Sequence, residues 1–281
     1  MNYKNSKWTK QILALQHDDG SWGHFHSLSI PTKARPLTTE QAMRRLRILG
    51  FTKDDEPISR VMRYMEENLL NTNPTVFHEK AHDSKTYGDL MLAAWLYLFD
   101  NTNELALTVV HKWVRIIEAA FSIGSYNHES YISEYEAALN VKLNPKAGCL
   151  SNFVVSYQIA LLQNVLSPRT ESLMLDYVLS HQNGIYYIYN KPLNILPEIF
   201  ASREASHYLA AIELLSGYSQ SADKLSFIAE WLMKNRDNGF WDMGTTAKDG
   251  VYYPLSDSWR NVEDRKRDYT YRMEKLLSAI G

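Results

Sequence analysis

The sequence predicts an all-α protein built from about five helical hairpins, with an inner and an outer helix layer. Three observations carry that expectation. Apolar residues recur at helical spacing along nearly all 281 residues, the segments between helices alternate between short and long, and amphipathic helices coexist with helices that are apolar almost all round. One domain over residues 1–281 follows, and 45% hydrophobic residues are ample for its core.

In chain order, periodicity places helices near 6–17, 39–49, 56–71, 86–99, 104–121, 128–140, 150–164, 168–181, 203–216, 220–235 and 258–279. The stretches EPISRVMRYMEENLL from Glu56 and QSADKLSFIAEWLMKN from Gln220 alternate apolar and charged faces, as an outer layer in water requires. By contrast GDLMLAAWLYLF, NFVVSYQIALLQ and SHYLAAIELL are apolar nearly throughout and belong inside. WRNVEDRKRDYTYRMEKLL, from Trp259, is too charged for a fully inner position. Only the Tyr-rich 185–189 stretch tempts a strand assignment.

Short connections fall at 50–57, 100–103, 166–168 and 217–222, and long ones centre near 20, 75, 125, 184 and 239. A recurrence of roughly 50 to 60 residues is the signature of repeated hairpins. Three long loops agree in detail: QHDDGSW from Gln16, the weaker HQNGIYY from His181, and NRDNGFW from Asn235. In each, a Gly supplies the positive φ that ends a helix and an aromatic follows to pack back.

Gln16-His17-Asp18-Asp19-Gly20-Ser21-Trp22 resembles the QW repeat of the terpenoid cyclase and protein prenyltransferase superfamily, and Asn235 with Trp241 resembles a second, imperfect copy. The resemblance implies an α/α toroid in which Gln16, Gly20, Trp22, Gly239 and Trp241 are structural, the Gln and Trp stacking to brace neighbouring helices. Direct matches cover about a tenth of the chain, and the hairpin period extends the likeness over most of it. Five hairpins, against the family's six, leave the ring open or smaller.

The family's best-known chemistries lack their motifs here. There is no D-x-D-D acid for alkene protonation and no D-D-x-x-D magnesium site, and Cys149 has no adjacent Asp to share a zinc. His78-Glu79-Lys80-Ala81-His82 fits H-E-x-x-H, but that chemistry needs both histidines on one helical face and a third ligand. The segment sits between Pro74 and a helix start near Lys85 with no apolar face, so a polar loop without zinc is expected. No metal and no cofactor is expected.

Composition narrows the partners. Thirty Lys and Arg against thirty-two Asp and Glu give a formal charge of -2, which draws neither nucleic acid nor an anionic membrane. No run approaches a membrane span, the N-terminal residues lack a secretory h-region, and the single Cys149 excludes an intrachain disulfide. A cytoplasmic protein with a small-molecule ligand of unspecified class is the expectation.

Alternating connection lengths gather the long loops, and the N-terminal turns of the inner helices, at one end. Free N–H groups on those turns favour a polar or anionic group. The site is therefore expected at that end. His24, His26, Asp83, His207 and Asp257 are the candidate catalytic residues, with Arg260, Tyr187 and Tyr252 as candidate ligand contacts; Glu40 lies on one of the same turns. Three readings stay open: a small-molecule-processing enzyme, a noncatalytic ligand- or peptide-binding protein, and a carbohydrate-active α/α-toroid hydrolase or lyase. Two carboxylates flanked by Tyr would favour sugars, and an apolar pocket with one acid would favour lipid-like molecules.

Overall fold

A computed structural model describes residues 3–26, 33, 36–71, 84–143, 148–247 and 254–281. Among them run eleven α-helices: α1 Lys7–Leu13, α2 Thr39–Ile48, α3 Glu56–Leu70, α4 Ser84–Phe99, α5 Glu104–Ala120, α6 His128–Leu139, α7 Ser156–Leu161, α8 Pro168–Ser180, α9 Arg203–Leu215, α10 Ser221–Lys234 and α11 Val262–Ile280. The protein is all-α as expected. The 185–189 stretch forms only isolated bridges, Val155 with Tyr186 and Ile185 with Tyr189.

Helix starts follow local side-chain chemistry. Thr38 accepts from Gln41 N–H while the Gln41 side chain accepts from Thr38 N–H, both at 3.2 Å, which closes a capping box on α2. Asn103, Asn127, Ser167, Ser202 and Asn261 accept from the free N–H groups of α5, α6, α8, α9 and α11.

Two boundaries differ from the periodicity, each for a visible reason. The expected helix over 150–164 is α-helical only from Ser156 to Leu161. The Gln158 side chain accepts the N–H groups of Val154 and Val155 at 3.2 and 2.9 Å, and Val154 turns to φ +104° so that its carbonyl meets Tyr186 N–H at 3.1 Å. The last helix begins at Val262 rather than near 258 because Asp268 holds the chain before it. Asp268 Oδ2 accepts Leu255 N–H and Ser256 N–H at 2.9 Å, and Ser256 Oγ and Trp259 Nε1 at 2.7 Å.

Burial separates two kinds of helix. α7 is buried throughout, α4 is buried without a break from Leu90 to Tyr97, and α9 is buried from Ala205 to Ile212 except for half-buried His207. In α3 only Ile58, Val61, Met62 and Met65 are, at one-face spacing. α4, α7 and α9 pack in series, α3 and α5 lie against α4, α8 against α10, and α10 against α11. The charges of α11 divide: Asp268 and Arg272 are buried with partners, while Arg267, Glu274 and Lys275 face solvent.

The Gln16–Trp22 loop is cross-tied. Trp22 is 1% exposed, its indole N–H donates to the Ile12 carbonyl at 2.8 Å, and its own N–H donates to Thr39 Oγ1 at 2.9 Å. Gln16 Nε2 donates to the Gly20 and Pro57 carbonyls at 3.0 and 2.9 Å, and Arg60 reaches back to the His17 carbonyl at 2.6 Å. Gly20 has φ +90° and lies so near α3 that a Cβ would stand 2.6 Å from the Arg60 carbonyl oxygen. Trp241 repeats the first pair of bonds: its indole N–H donates to the Leu232 carbonyl at 2.7 Å and its backbone N–H donates to Thr270 Oγ1 at 3.1 Å. It does so without the cross-tie: Asn235 donates only back to the Trp231 carbonyl of the preceding helix at 2.9 Å, and a Cβ on Gly239 would meet nothing within 4 Å.

First and last helices are joined as well. Trp8 Nε1 donates to the Ser256 carbonyl at 2.8 Å, Asp257 Oδ1 accepts Lys7 N–H at 3.0 Å, Tyr3 O–H reaches Asp268 Oδ1 at 3.3 Å, and the buried Arg45 guanidinium donates to the Pro254 carbonyl.

Candidate functional site

At the long-loop end the chain turns inward. Thr39 and Glu40 donate their backbone N–H groups to the carbonyls of His24 and Phe25 at 2.9 and 3.0 Å, so the 24–26 segment lies across the start of α2. Phe25 is buried, and so is His26 at 3% exposure. His26 Nε2 lies 3.2 Å from Tyr87 Oη, and its ring sits edge-on to Tyr187 at 5.2 Å between centroids, with Tyr157 at 6.4 Å. Tyr187 adopts φ +73°, a strained conformation for an aromatic residue, beside the equally unusual Val154.

The structure thus brings His26 and Tyr187 together. His24 is half-buried beside α2, and His207 half-buried on α9. Asp257 is exposed and caps α1, while Asn261 caps α11. Arg260 is exposed, its backbone N–H on Ser258 Oγ at 3.2 Å. Asp83, Tyr252, His78 and His82 lie outside the described residues, as does the Cys149 side chain. Among the described residues no three His, Cys, Asp or Glu side chains are grouped to hold a metal ion.

Beneath His26 lies a fully buried carboxylate. Glu40 sits in the first turn of α2, where the helix dipole favours negative charge. Its Oε1 accepts Tyr157 O–H at 2.6 Å, Arg44 Nη2 at 3.0 Å and Trp95 Nε1 at 3.1 Å, which ties α2, α4 and α7 together. Burial, and then the Glu40 charge, push the Tyr157 phenol well above its ordinary range, so it stays protonated and donates.

Arg44, Trp95 and Tyr157 also border a cavity of about 360 Å³. Its wall takes residues from α2, α4, α7, α9 and α11, mostly from their C-terminal halves, and includes Gln163, Ser216 and Gly217 next to the short connections. None of the described candidate residues, His24, His26, Tyr187, His207, Asp257 and Arg260, lines it. Of the residues in the long loops, Phe25, Tyr189 and Leu193 are buried, and Ile188 and Leu255 form part of the cavity wall.

The wall is chiefly apolar, with Ile48, Leu98, Ile188 and Leu276 among its residues, but four cations border it against one carboxylate: Arg44, Arg47, Arg272 and Lys275 against Glu213. Arg272 grips Glu213 with two bonds, Nε to Oε1 at 2.5 Å and Nη2 to Oε2 at 2.9 Å, and Ser206 Oγ with a third at 3.1 Å. Counting Glu40 behind Arg44, the net charge is still positive. Sequence reasoning placed Glu40 on an inner-helix turn but missed Arg44, Ser156, Tyr157 and Arg272. Ionic residues on otherwise apolar inner helices were the available signal, because buried charges require partners.

No protein-family model, no curated protein and no solved structure matches this chain.

Proposed function

We propose that the chain is an α/α toroid of the terpenoid cyclase and prenyltransferase type, and that its centre binds a small organic anion with an apolar body. One observation carries the reading: a single cavity bordered by helices from five successive parts of the chain, α2, α4, α7, α9 and α11, apolar in the main and net cationic. An apolar cavity of about 150 Å³ accommodates benzene, so about 360 Å³ suits a ligand more than twice that size. The single wall carboxylate argues against glycoside hydrolysis, which uses a pair. Recognition is favoured over acid–base chemistry, since Glu40 already accepts three donors and Tyr157 holds its proton.

The test is titration with anilinonaphthalene sulfonate, an apolar-bodied anion that fluoresces when bound. Saturable one-to-one binding is expected, lost on filling the cavity with Ala160→Trp while helical circular dichroism is kept. Equal binding by both proteins would overturn the central site.

A further inference from the structure

Resting on the central-cavity reading, the charges of α11 specify where the anionic group sits. Tyr271, Lys275 and Ala279 stand four residues apart on one helix face, and with Arg272 and Leu276 they form the α11 share of the wall. The other cations of this helix each have a carboxylate: Arg265 has Asp242, Lys266 has Glu263, Arg267 has Asp264 and Arg272 has Glu213. Lys275 has no hydrogen bond or ion pair among the described residues. The helix dipole does not account for it, because that effect is confined to the last turn and Lys275 lies before the last turn of α11. Arg47, by contrast, is in the last turn of α2.

Exposure shows where the cavity reaches solvent. Trp95, Tyr157, Ala160 and Leu255 are buried in its wall, while Arg47, Gly217, Lys275 and Ala279 are exposed. The exposed four lie at or near the C-terminal ends of α2, α9 and α11. The Lys275 ammonium therefore stands at the rim, whereas Arg44 and Arg272 have their charges met by Glu40 and Glu213. We infer that Lys275 binds the anionic group of the ligand at this rim, with the apolar body directed inward against Leu276 and Trp95. The ligand class is then a monoanionic amphiphile with its charge at one end, such as an alkyl or aryl carboxylate or sulfonate.

Anilinonaphthalene sulfonate and N-phenyl-1-naphthylamine, which has the same rings without the sulfonate, test the contact at low ionic strength. Lys275→Gln should weaken the sulfonate about two- to fivefold, the effect of a solvent-exposed ion pair, and leave the naphthylamine unchanged. Salt at about 0.5 M should narrow the difference. Arg267→Gln, the same charge change on the same helix, should alter neither. A sulfonate affinity unmoved by Lys275→Gln, or lowered as much by Arg267→Gln, overturns the Lys275 contact. So does an equal loss of both probes; the cavity reading then stands if Ala160→Trp still blocks binding. Decanoate should displace the sulfonate at least about tenfold better than decanedioate, whose second carboxylate would have to enter apolar surroundings. Equal displacement by the two, or none by decanoate, overturns the single-ended class. If neither probe binds the native protein, the central site fails and the inference falls with it.

Discussion

Gln16 donates its side-chain amide to the carbonyl of Pro57 at 2.9 Å, forty-one residues along the chain, and so fastens the loop after α1 to the first turn of α3. Trp22, buried in the same loop with its indole N–H on Ile12, supplies the packing. Trp22→Ala should cost about 3 to 5 kcal/mol, the usual range for emptying a large aromatic site. Trp22→Phe, which keeps most of the volume and loses the indole bond to an Ile12 carbonyl that still accepts Leu15 N–H, should cost less. Urea unfolding of both measures the difference; an unchanged midpoint in the alanine variant would show the loop to be dispensable.

The two turn glycines should respond unequally. Both have positive φ, which costs a non-glycine residue about 1 to 2 kcal/mol. At Gly20 an added methyl would also meet the Arg60 carbonyl at 2.6 Å, whereas at Gly239 the space is open. Gly20→Ala is therefore expected to destabilise clearly more than Gly239→Ala in the same denaturant titration. Equal losses would mean that contact with α3 contributes nothing.

Asp268→Asn should loosen both ends of the chain together. The carboxylate accepts from Leu255, Ser256 and Trp259 at one oxygen and from Tyr3 at the other. An amide that keeps its oxygen on the four donors of Oδ2 turns its nitrogen to the Tyr3 hydroxyl, which can accept, so the loss is the charge assistance of those bonds, about 1 to 2 kcal/mol. Hydrogen exchange should quicken in α1 and at 255–259 before it does in α4. Uniform quickening across the protein would refute local control.

Acid sensitivity should include a portion assignable to Asp242. Burial works to raise this carboxyl, but hydrogen bonds from Arg265 at 2.8 and 2.7 Å and from Gly244 N–H outweigh burial and hold it below the ordinary range. With the folded pKa depressed below the unfolded value of about 3.9, the unfolded state takes up the proton first on acidification. The contribution is present in full above about pH 5 and lost as pH falls through the folded pKa. Asp242→Asn should be about 1 to 2 kcal/mol less stable at neutral pH, and the gap should close towards about pH 2. A gap that persists there would not be electrostatic.

Hydropathy made much of the architecture legible, because an all-round apolar helix such as α4 and a one-faced helix such as α3 differ in composition alone. The Trp22 turn was legible because Gly and an aromatic act within a few residues. What escaped was decided by partners far away. Val154 leaves helical geometry to meet Tyr186, and Arg272 becomes a buried residue only because Glu213, fifty-nine positions earlier, receives it. Phe25 and Leu255 read as residues of open loops, yet both are buried, Leu255 in the cavity wall. A sequence window displays side-chain character; it does not display which way a long loop turns.

The stitches between α1 and the 254–257 segment also impose a schedule. Lys7 and Trp8 bond to residues 250 and 248 positions later. On a ribosome adding about 5 to 20 residues per second, they wait roughly ten to fifty seconds for those partners to be made. Throughout that interval the indole of Trp8 and the guanidinium of Arg45 lack their final acceptors. A segment made some 250 residues before its partners is among the last to be finished, and that interval is where a chaperone would find the most to hold.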